Sequence, residues 1–435
     1  MKISVVAIFD IGKTNKKCFL FDEEYKIVFE KNECFPELTD EDGDACEDLQ
    51  KLTSFIFQSL DEIFSKNEFD VKAINFSAYG ASFVYIDENG KTLTPLYNYL
   101  KKYPAQLQKK FYNEYRGENE FSLETASPVS GSLNSGMQLY RIKNEKPEIF
   151  SHIKYALHLP QYISYLISKI PLSDITSIGC HTNLWSFEKN QYHEWVEKED
   201  IENILAPIVS SGTINTVSYK EKNIAVGVGL HDSSAALIPY LKYFDEPFVL
   251  LSTGTWCISL NPFNDSPLTA EQLQNDSLCY LTHEGKQVKA SRLFAGYEHE
   301  QQTKKISAFF SKPVNYYNTI KFNEPFINPV FSEYNLSSCQ SYEEAYHQFM
   351  RFLVKKQFDS TQLILEGSPV KRIFVDGGFS KNDVYMNLLA HIFPGMEVFA
   401  ASIPQASAIG AAMIIHNSWN KKRMPERIIE LKKYE

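Results

Sequence analysis

The same short pattern occurs twice in this chain: an apolar run, a tight turn containing Gly and Thr, and a second apolar run. The first copy reads FDIGKTNKKCFLF and the second reads LLSTGTWCISL. Apolar runs bounded by turn residues are typical of β-hairpins. Helical patterns and further strands follow each copy. The sequence therefore predicts an α/β fold with mixed sheets and an internal duplication.

The chain is long enough for two domains. Its 435 residues exceed the size of an ordinary single domain. Apolar residues at three- and four-residue spacing predict one helix from Leu49 to Phe64 and another from Tyr342 to Leu365. No linker rich in Pro, Gly or Ser separates the two hairpins. We therefore predict two domains, residues 1–222 and 223–435, which pack face to face.

Composition and charge exclude several classes of protein. The formal net charge of −10 argues against partners such as nucleic acids and anionic membranes. No apolar run reaches the roughly 18 residues that a membrane helix needs, and the first residues lack the pattern of an export signal. Seven scattered cysteines without a C-x-x-C pair indicate free thiols rather than disulfides or a zinc site. These features predict a cytoplasmic protein.

The acidic segment TDEDGDACED matches a calcium-binding loop only in part. Asp40, Asp42 and Asp44 alternate as calcium ligands do in an EF-hand, but Ala45 stands where that loop requires Gly. Lys51 stands where the bidentate Glu belongs. The segment is therefore interpreted as a solvated acidic loop.

The turn of the first hairpin offers groups that suit a phosphate. It follows a strand that ends near Asp10, and its candidate phosphate contacts are Gly12, Thr14, Asn15 and Lys17, with Lys13 and Lys16 adding positive charge. Backbone N–H groups of such a turn bind anions. Asp10 is a candidate for holding Mg²⁺, which accepts one or two carboxylates and keeps most of its waters. A plain hairpin with a polar turn is the alternative for this segment alone.

Two glycine-containing segments in the second half are further candidates for a nucleotide site. Gly254 and Thr255 form the turn of the second hairpin, and Gly377 and Gly378 lie between an apolar strand and a helix that begins near Asn382. Glycine lets a ring or a phosphate approach the backbone closely. A strand-to-helix turn capped by Ser380 is the structural alternative at Gly377.

Asp232 is the candidate proton acceptor. It follows the small-residue strand AVGVGL and precedes the small residues SSAA, so a substrate has room to approach its carboxylate. A helix N-terminus stabilises a carboxylate, and this position predicts a lowered pKa for Asp232. An Asp in this place orients a hydroxyl and accepts its proton late in phosphoryl transfer. A helix N-cap is the alternative role, and it is compatible with the first.

Taken in order, these segments resemble the FGGY family of carbohydrate kinases over nearly the whole chain. The matching stretches are DIGKTNKKCFLFD, FVYIDENGKTLTPL, SDITSIGCHTNLW, GLHDSSAAL, STGTW, VDGGFSKNDVYMNLLAHIF and PQASAIGAA. The resemblance implies two ribonuclease-H-like domains of the actin and hexokinase type with a cleft between them. It also implies a sugar-binding N-terminal domain and an ATP-binding C-terminal domain, with Asp232 as the catalytic residue and ATP and Mg²⁺ as cofactors.

The sugar end departs from the family pattern. Tyr79 and Ala81 replace sugar-contacting residues, NYLKKYP lacks the usual Asp and Arg after its aromatic, and Gln161 stands where an Asp is usual. The resemblance places Tyr79, Ala81, Tyr97 and Asp232 at the substrate. His231 and STGTW look most like the L-rhamnulose and L-fuculose kinase branch, which implies a small ketose or deoxyketose substrate.

Two functions follow from these observations. The first is ATP-dependent phosphorylation of a small sugar in carbohydrate catabolism. The second is a sugar- or nucleotide-binding sensor of the same fold with weakened catalysis. Retention of Asp10, Asp232 and both turns favours the enzyme, whereas the altered sugar residues favour the sensor. The sequence leaves the assembly open, with a homodimer as one candidate.

Overall fold

The computed structural model describes residues 2–326, 334–403 and 405–435. These residues form two compact units. The first unit contains Met1–Tyr243, Cys279–Gln287 and Pro404–Ile428, and the second contains Phe244–Leu278, Val288–Ile403 and Ile429–Glu435. A mixed seven-stranded sheet accompanied by helices lies in each half of the chain, so the predicted α/β class is confirmed.

The sheet of the first unit is built around the first hairpin. Its strands follow the order Ile214–Tyr219, Lys222–Gly227, Phe69–Ala78, Ile3–Ile11, Lys16–Asp22 and Ile27–Glu33, and Leu230–His231 also pairs with Phe69–Ala78. Strand Ile3–Ile11 pairs antiparallel with Lys16–Asp22 and parallel with Phe69–Ala78. Its residues from Val5 to Phe9 are fully buried, as expected for a strand covered on both faces.

Helix Leu49–Ser65 packs on this sheet. Asp48 accepts a hydrogen bond from the backbone N–H of Lys51 and caps the helix. The buried residues of the helix include Leu52, Ile56, Leu60 and Ile63, which are the positions that the helical spacing predicted.

The remaining elements of the first unit are mostly short. Its further helices are Ala105–Glu114, Glu118–Glu124, Ser135–Glu145, Pro147–Phe150, Leu159–Ser168, Ile175–Ile178, Glu194–Lys198, Asp232–Tyr243, Ala406–Ile414 and His416–Trp419. Its further strands are Leu38–Thr39, Ala45–Glu47, Phe83–Ile86, Leu96–Tyr97, Tyr155–His158, Ser173–Asp174, Trp185–Ser186, Gln191–Tyr192 and Ile208–Val209. The aromatic middle region packs around Phe111, whose ring centroid lies 5.0 Å from that of Trp195 and 4.9 Å from that of Tyr140.

The second sheet repeats the arrangement of the first. Its order is Ser277–Leu281, Gln287–Leu293, Cys257–Asn261, Val249–Thr253, Arg372–Gly377, Glu397–Ser402 and Glu430–Tyr434. Strand Val249–Thr253 pairs antiparallel with the next strand along the chain and parallel with Arg372–Gly377. The helices of the second unit are Ala270–Gln274, Ala295–Phe309, Tyr342–Leu365 and Asp383–Ile392. The predicted helix Tyr342–Leu365 is confirmed.

The compact units do not follow the single boundary expected at residue 222. Strand Lys222–Gly227 belongs to the first sheet because it pairs in parallel with Phe69–Ala78. Helix Ala406–Ile414 packs closely on helix Asp232–Tyr243, since a Cβ atom added at Gly410 would lie 1.9 Å from the carbonyl oxygen of Ala235. The first unit therefore runs past Lys222 and includes a segment from near the C-terminus.

Candidate active site

Strand pairing in the first unit brings two carboxylates to one edge of the sheet. Asp10 lies near the end of strand Ile3–Ile11 and faces Ser77 of the neighbouring parallel strand. Strand Phe69–Ala78 pairs along its other edge with Leu230–His231, where Ser77 faces Leu230. Asp232 follows directly and begins the next helix. The carboxyl ends of parallel strands are where α/β proteins place their ligand sites. The fold thus places both predicted acidic residues at a suitable edge.

The protein raises the pKa of both carboxyl groups. Burial raises the pKa of Asp10 to about 6, and the charge of Asp232 adds to this shift, while a hydrogen bond from Ser407 and the charge of Lys17 oppose it. The pKa of Asp232 is also raised to about 6 by burial, although 35 % of its side chain is still exposed. The lowered pKa expected for Asp232 was therefore wrong, because loss of solvation outweighs its hydrogen bonds from Ser233.

His231 lies directly beside Asp232. Its Nε2 atom is 3.1 Å from Oδ1 of Asp232 and 3.1 Å from Sγ of Cys180. Burial lowers the pKa of His231 to about 3, so the ring is neutral at neutral pH and offers no positive charge to the carboxylate. The backbone N–H of Ser233 donates to Asp232 Oδ1 at 2.6 Å. These contacts fix the orientation of the Asp232 carboxylate.

The first hairpin turn is exposed at its tip and held at its base. The backbone N–H of Gly12 donates to the carbonyl of Asn15 at 2.9 Å. Thr14 and Asn15 are exposed, which leaves their polar groups accessible to a phosphate. Lys17 donates to Oε1 of Gln405 at 3.0 Å. Because Gln405 is neutral, the positive charge of Lys17 near Asp10 is not cancelled by this contact.

The other two lysines of this turn are paired with carboxylates. Lys13 Nζ lies 2.7 Å from Glu37 Oε1 and 3.0 Å from Glu47 Oε1, and Lys16 Nζ lies 2.9 Å from Glu47 Oε2. Lys16 is 2 % exposed. Of the three lysines that the sequence offered for phosphate binding, Lys17 is the one that these carboxylates leave uncompensated.

In the second unit, a pocket of about 290 Å³ has glycine in its wall. Gly254, Gly378 and Asn382 line it, together with Lys321 and Lys381. A Cβ atom at Gly254 or Gly378 would have no neighbour closer than 3.7 Å, so the space beside these glycines is open to a ligand. The glycine surface and the two lysines suit the ring and the phosphates of a nucleotide.

Gly377 and Gly378 have different roles. Gly377 has a φ of +86°, and its Cβ atom would lie 2.0 Å from the carbonyl oxygen of Thr253. It is required for backbone conformation and strand packing. Gly378 has an ordinary helical conformation, with a φ of −63°, and faces the pocket. Thr255 is exposed on the adjacent turn.

Asn382 acts as a helix cap. Its Oδ1 accepts the backbone N–H of Tyr385 at 3.0 Å, and its Nδ2 donates to the hydroxyl of Tyr346 at 2.6 Å. The helix cap expected at Ser380 is therefore supplied by Asn382, which also lines the pocket.

The tyrosines around the predicted sugar site divide by their distance from the acidic pair: Tyr79 and Tyr99 lie near it, and Tyr97 packs elsewhere. Tyr79 is buried, and its ring centroid is 5.7 Å from that of Tyr99. Burial and the charge of Asp232 raise the pKa of Tyr99 to about 12, which places Tyr99 near the acidic pair. Tyr97, in contrast, donates its hydroxyl to Glu41 and packs in the aromatic core of the middle region.

Ala81 lies beside Tyr79 in a constrained backbone conformation. Its φ is +66°, and its carbonyl oxygen accepts a hydrogen bond from Gln138 Nε2 at 2.6 Å. The side chain of Ala81 is 2 % exposed. Its contribution to this segment is therefore mainly backbone shape.

The acidic loop is occupied by a side chain of the protein. Lys101 Nζ is 2.7 Å from Asp42 and 3.5 Å from Asp44, and it also contacts Asp40. The ammonium group of Lys101 thus balances the negative charge of this loop, as a bound calcium ion would do. Among the residues that the structure describes, no group of three or more His, Cys, Asp and Glu side chains is arranged to hold a metal ion.

A two-carboxylate site still fits Mg²⁺, since this ion keeps several waters and needs only one or two protein carboxylates. Asp10 and Asp232 supply such a pair, and mutual repulsion contributes to the raised pKa of Asp10. A nearby cation would relieve that repulsion. The residues present therefore fit the ion, with Asp10 as the candidate ligand.

Sequence reasoning missed two side chains at this site. In the sequence, Glu47 stands out only as part of the acidic segment, and Gln405 only as part of the final matching motif. A buried carboxylate between two lysines leaves no local pattern, because its partners lie 31 and 34 residues away in the chain.

Comparison with known proteins gives a consistent result. Residues 5–238 match the N-terminal domain of the FGGY family of carbohydrate kinases, and residues 336–416 match the C-terminal domain of that family. The chain is 23 % identical to a rhamnulokinase of Mannheimia succiniciproducens, over 100 % of the chain and 95 % of the relative. It is 22 % identical to a rhamnulokinase of Halalkalibacterium halodurans, over 92 % of the chain and 91 % of the relative.

Solved structures share the fold. A carbohydrate kinase from Novosphingobium aromaticivorans superposes with a TM-score of 0.78 at 22 % identity, covering 100 % of this chain and 95 % of that one. A ligand-bound xylulose kinase from Lactobacillus acidophilus gives a TM-score of 0.79 at 16 % identity, covering 99 % of this chain and 93 % of that one.

In the described part of the chain, no helix has the length and apolar character to cross a membrane.

Proposed function

Because the chain belongs to the FGGY family of carbohydrate kinases, we propose that it transfers a phosphoryl group from ATP to a 6-deoxy-ketohexose such as L-rhamnulose or L-fuculose. The family establishes a sugar kinase that uses ATP. The proposal adds the class of sugar and the roles of individual residues.

The acidic pair is the observation that carries the chemistry. Asp232 accepts the proton of the attacking sugar hydroxyl. A pKa of about 6 makes it a stronger base than an ordinary Asp while leaving it mostly ionised at neutral pH. Neutral His231 and the Ser233 N–H hold its carboxylate in one orientation.

The remaining groups position charge. Asp10 is the proposed ligand of Mg²⁺, which when bound supplies positive charge at the transferring phosphoryl group. Thr14, Asn15 and Lys17 contact phosphate oxygens from the first unit. In the second unit, the turn at Gly254 and Thr255 and the pocket wall at Gly378 and Asn382 accept the nucleotide.

The acceptor site favours an apolar edge on the sugar. Tyr79 and Tyr99 form an edge-to-face aromatic pair close to Asp232. Aromatic faces pack well against a methyl group and C–H bonds. The rhamnulokinases named above, and an L-fuculokinase of Salmonella typhi that is 23 % identical over 59 % of this chain, act by name on deoxyketoses. These observations support a deoxyketose over glycerol or xylulose.

The test is kcat/KM for L-rhamnulose, L-fuculose, xylulose and glycerol, each with ATP and Mg²⁺. We expect one of the two deoxyketoses to lead. A site built around specific sugar contacts discriminates by up to roughly 10⁴–10⁵ against analogues that leave its polar groups unpaired. A higher kcat/KM for glycerol or xylulose would contradict the proposed sugar while leaving the kinase activity intact.

The alternative function, a sensor with weakened catalysis, has no support in the family match. We place the protein in the cytoplasm, because its seven cysteines are free, as expected in a reducing compartment.

A further inference from the structure

Glu47 is a buried carboxylate that sequence reasoning did not connect to the site. It ends strand Ala45–Glu47, which pairs with strand Leu96–Tyr97. Only 6 % of its surface is exposed. A charged side chain at this depth needs partners of opposite charge or hydrogen bonds.

Both oxygens of Glu47 are engaged by the first hairpin turn. Lys13 Nζ lies 3.0 Å from Oε1, and Lys16 Nζ lies 2.9 Å from Oε2. The same Lys16 ammonium donates to the carbonyl oxygen of Lys13 at 2.7 Å. Glu47 therefore holds the lysine that braces the turn from inside.

Glu47 also reaches the acceptor wall. Burial raises the pKa of the Tyr79 hydroxyl and the charge of Glu47 adds to this shift, which places the Glu47 carboxylate near Tyr79. The Tyr79 ring packs against Tyr99. Lys13 Nζ lies 5.7 Å from the centroid of the Tyr99 ring. Glu47 thus contacts the phosphate turn directly and is linked through Lys13 to the wall on which the sugar is proposed to lie.

We propose that Glu47 is a positioning residue for phosphoryl transfer, which fixes the first phosphate turn relative to the acceptor wall at Tyr79. This inference rests on the proposed function. It implies that Lys13 and Lys16 shape the turn, whereas Lys17 is the lysine of this turn that serves the phosphate. Small errors in the placement of reacting groups lower the rate strongly, by about 10²-fold for a displacement of about 1 Å.

The chain offers a matched control. Asp40 and Lys101 form a second buried pair in the same unit, and their side chains are 0 % and 4 % exposed. Glu47→Gln leaves the buried Lys16 ammonium without its carboxylate, so it is expected to lower Tm. In Asp40→Asn, Lys101 keeps Asp42 at 2.7 Å and Asp44 at 3.5 Å, so a smaller loss of Tm is expected. Asp40 does not belong to the phosphate turn or to the wall at Tyr79.

The experiment compares Glu47→Gln, Asp40→Asn and the double variant Glu47→Gln/Lys16→Met. Each is assayed with ATP, Mg²⁺ and the best sugar of the four-sugar panel, and rates are divided by the folded fraction. We expect kcat to fall at least about 10-fold in Glu47→Gln and to stay within about twofold of wild type in Asp40→Asn. The Kd for ADP is expected to stay within about twofold in all three, because ADP occupies the pocket of the second unit.

The double variant separates positioning from stability. Removing the unpaired ammonium of Lys16 is expected to recover Tm, because an uncompensated buried charge is costly. We expect kcat to remain low, because the turn has lost its brace. Recovery of kcat together with Tm, wild-type kcat in Glu47→Gln, or an equal loss in Asp40→Asn would overturn the proposal. Absence of sugar phosphorylation by the wild-type protein would instead contradict the proposed function.

Discussion

The turn at residues 12–15 and the turn at residues 253–255 each follow a strand that pairs in parallel with a later strand of the same sheet. Their surroundings differ. The first turn is surrounded by charge, with Lys13 and Lys16 paired to Glu47 and with Lys17 near Asp10. The second is surrounded by glycine, since Gly296 and Gly377 both pack closely against its backbone.

This difference shows how one topology serves two tasks. The charged turn can set the protonation and orientation of groups at the acceptor, because buried charges act strongly on their neighbours. The glycine-rich turn can bring backbone N–H groups close to a bulky ligand. We therefore expect changes of charge to matter most in the first unit and changes of size to matter most in the second.

The largest effect is expected from Asp232→Asn, which removes the proton acceptor and keeps its shape. Loss of a general base costs about 10²–10⁴-fold in rate, and we expect kcat to fall by that factor while the protein stays folded. Steady-state kinetics and circular dichroism check the two parts. A variant that retains more than about a tenth of the wild-type kcat would rule out this role.

Asp10→Ala tests the metal ligand in the same region. We expect a large loss of kcat and a weaker response to added Mg²⁺, with little change in the Kd for sugar. A magnesium titration of kcat for the variant and the wild type measures this. Identical titration curves would show that Asp10 has only a structural role.

A change of size tests the second unit. Gly378→Val places a branched side chain in open space without backbone strain. We expect the KM for ATP to rise at least about 10-fold, since each 1.4 kcal/mol of lost binding is tenfold, with the sugar Kd nearly unchanged. Gly377→Val is the matched control and should instead lower Tm, because its Cβ atom would collide with Thr253. Equal loss of both ligands in Gly378→Val would indicate misfolding.

Neutralising single lysines tests the charges of the first turn. Lys17→Met is expected to lower kcat about 10-fold, which is less than the roughly 10²–10³-fold lost when a well-placed oxyanion donor is removed. Lys13→Met should change kcat less, because the charge of Lys13 is already balanced by Glu37 and Glu47. Kinetics of the two variants side by side decide the point, and a larger loss in Lys13→Met would contradict it.

The smallest effect is a pH dependence of stability. The pKa of Asp232 is about 6 in the folded protein and near its ordinary value of 3.8 when unfolded. Folding therefore disfavours the ionised carboxylate, so stability is retained below pH 3.8 and is lost as the pH rises through 6. Without ligands or added metal, Asp232→Asn should melt at a higher temperature than wild type at pH 8. The difference should shrink toward pH 4, and an unchanged difference across this range would contradict the raised pKa.

Local patterns were enough to predict the hairpins, the helices at Leu49 and Tyr342, and the place of Asp232 after a small-residue strand. These features depend on periodicity and turn residues, which a sequence displays directly. The different surroundings of Tyr97 and Tyr99 have no such local signal. The two residues are only two positions apart. Tyr97 pairs with Cys46 and its ring packs in the core of the middle region, whereas the ring of Tyr99 lies near Asp232.

Long-range effects account for what the sequence did not reveal. The pKa of Asp232 depends on its burial in the folded protein, which outweighs the lowering that its place at a helix N-terminus suggested. The roles of Glu47 and Gln405 depend on partners that are distant in the chain. Glu47 pairs with lysines 31 and 34 positions away, and Gln405 accepts from Lys17, which is 388 positions away. Neither burial nor such distant pairing is readable from a single sequence.

The most direct test of the account is a ³¹P NMR time course of the wild-type protein with ATP, Mg²⁺ and L-rhamnulose or L-fuculose in one tube. The account predicts that the γ-phosphate signal of ATP declines while a sugar phosphomonoester appears in equal amount, and that the monoester is absent over the same period with Asp232→Asn. Release of inorganic phosphate alone, or monoester formation by Asp232→Asn at the wild-type rate, would contradict it.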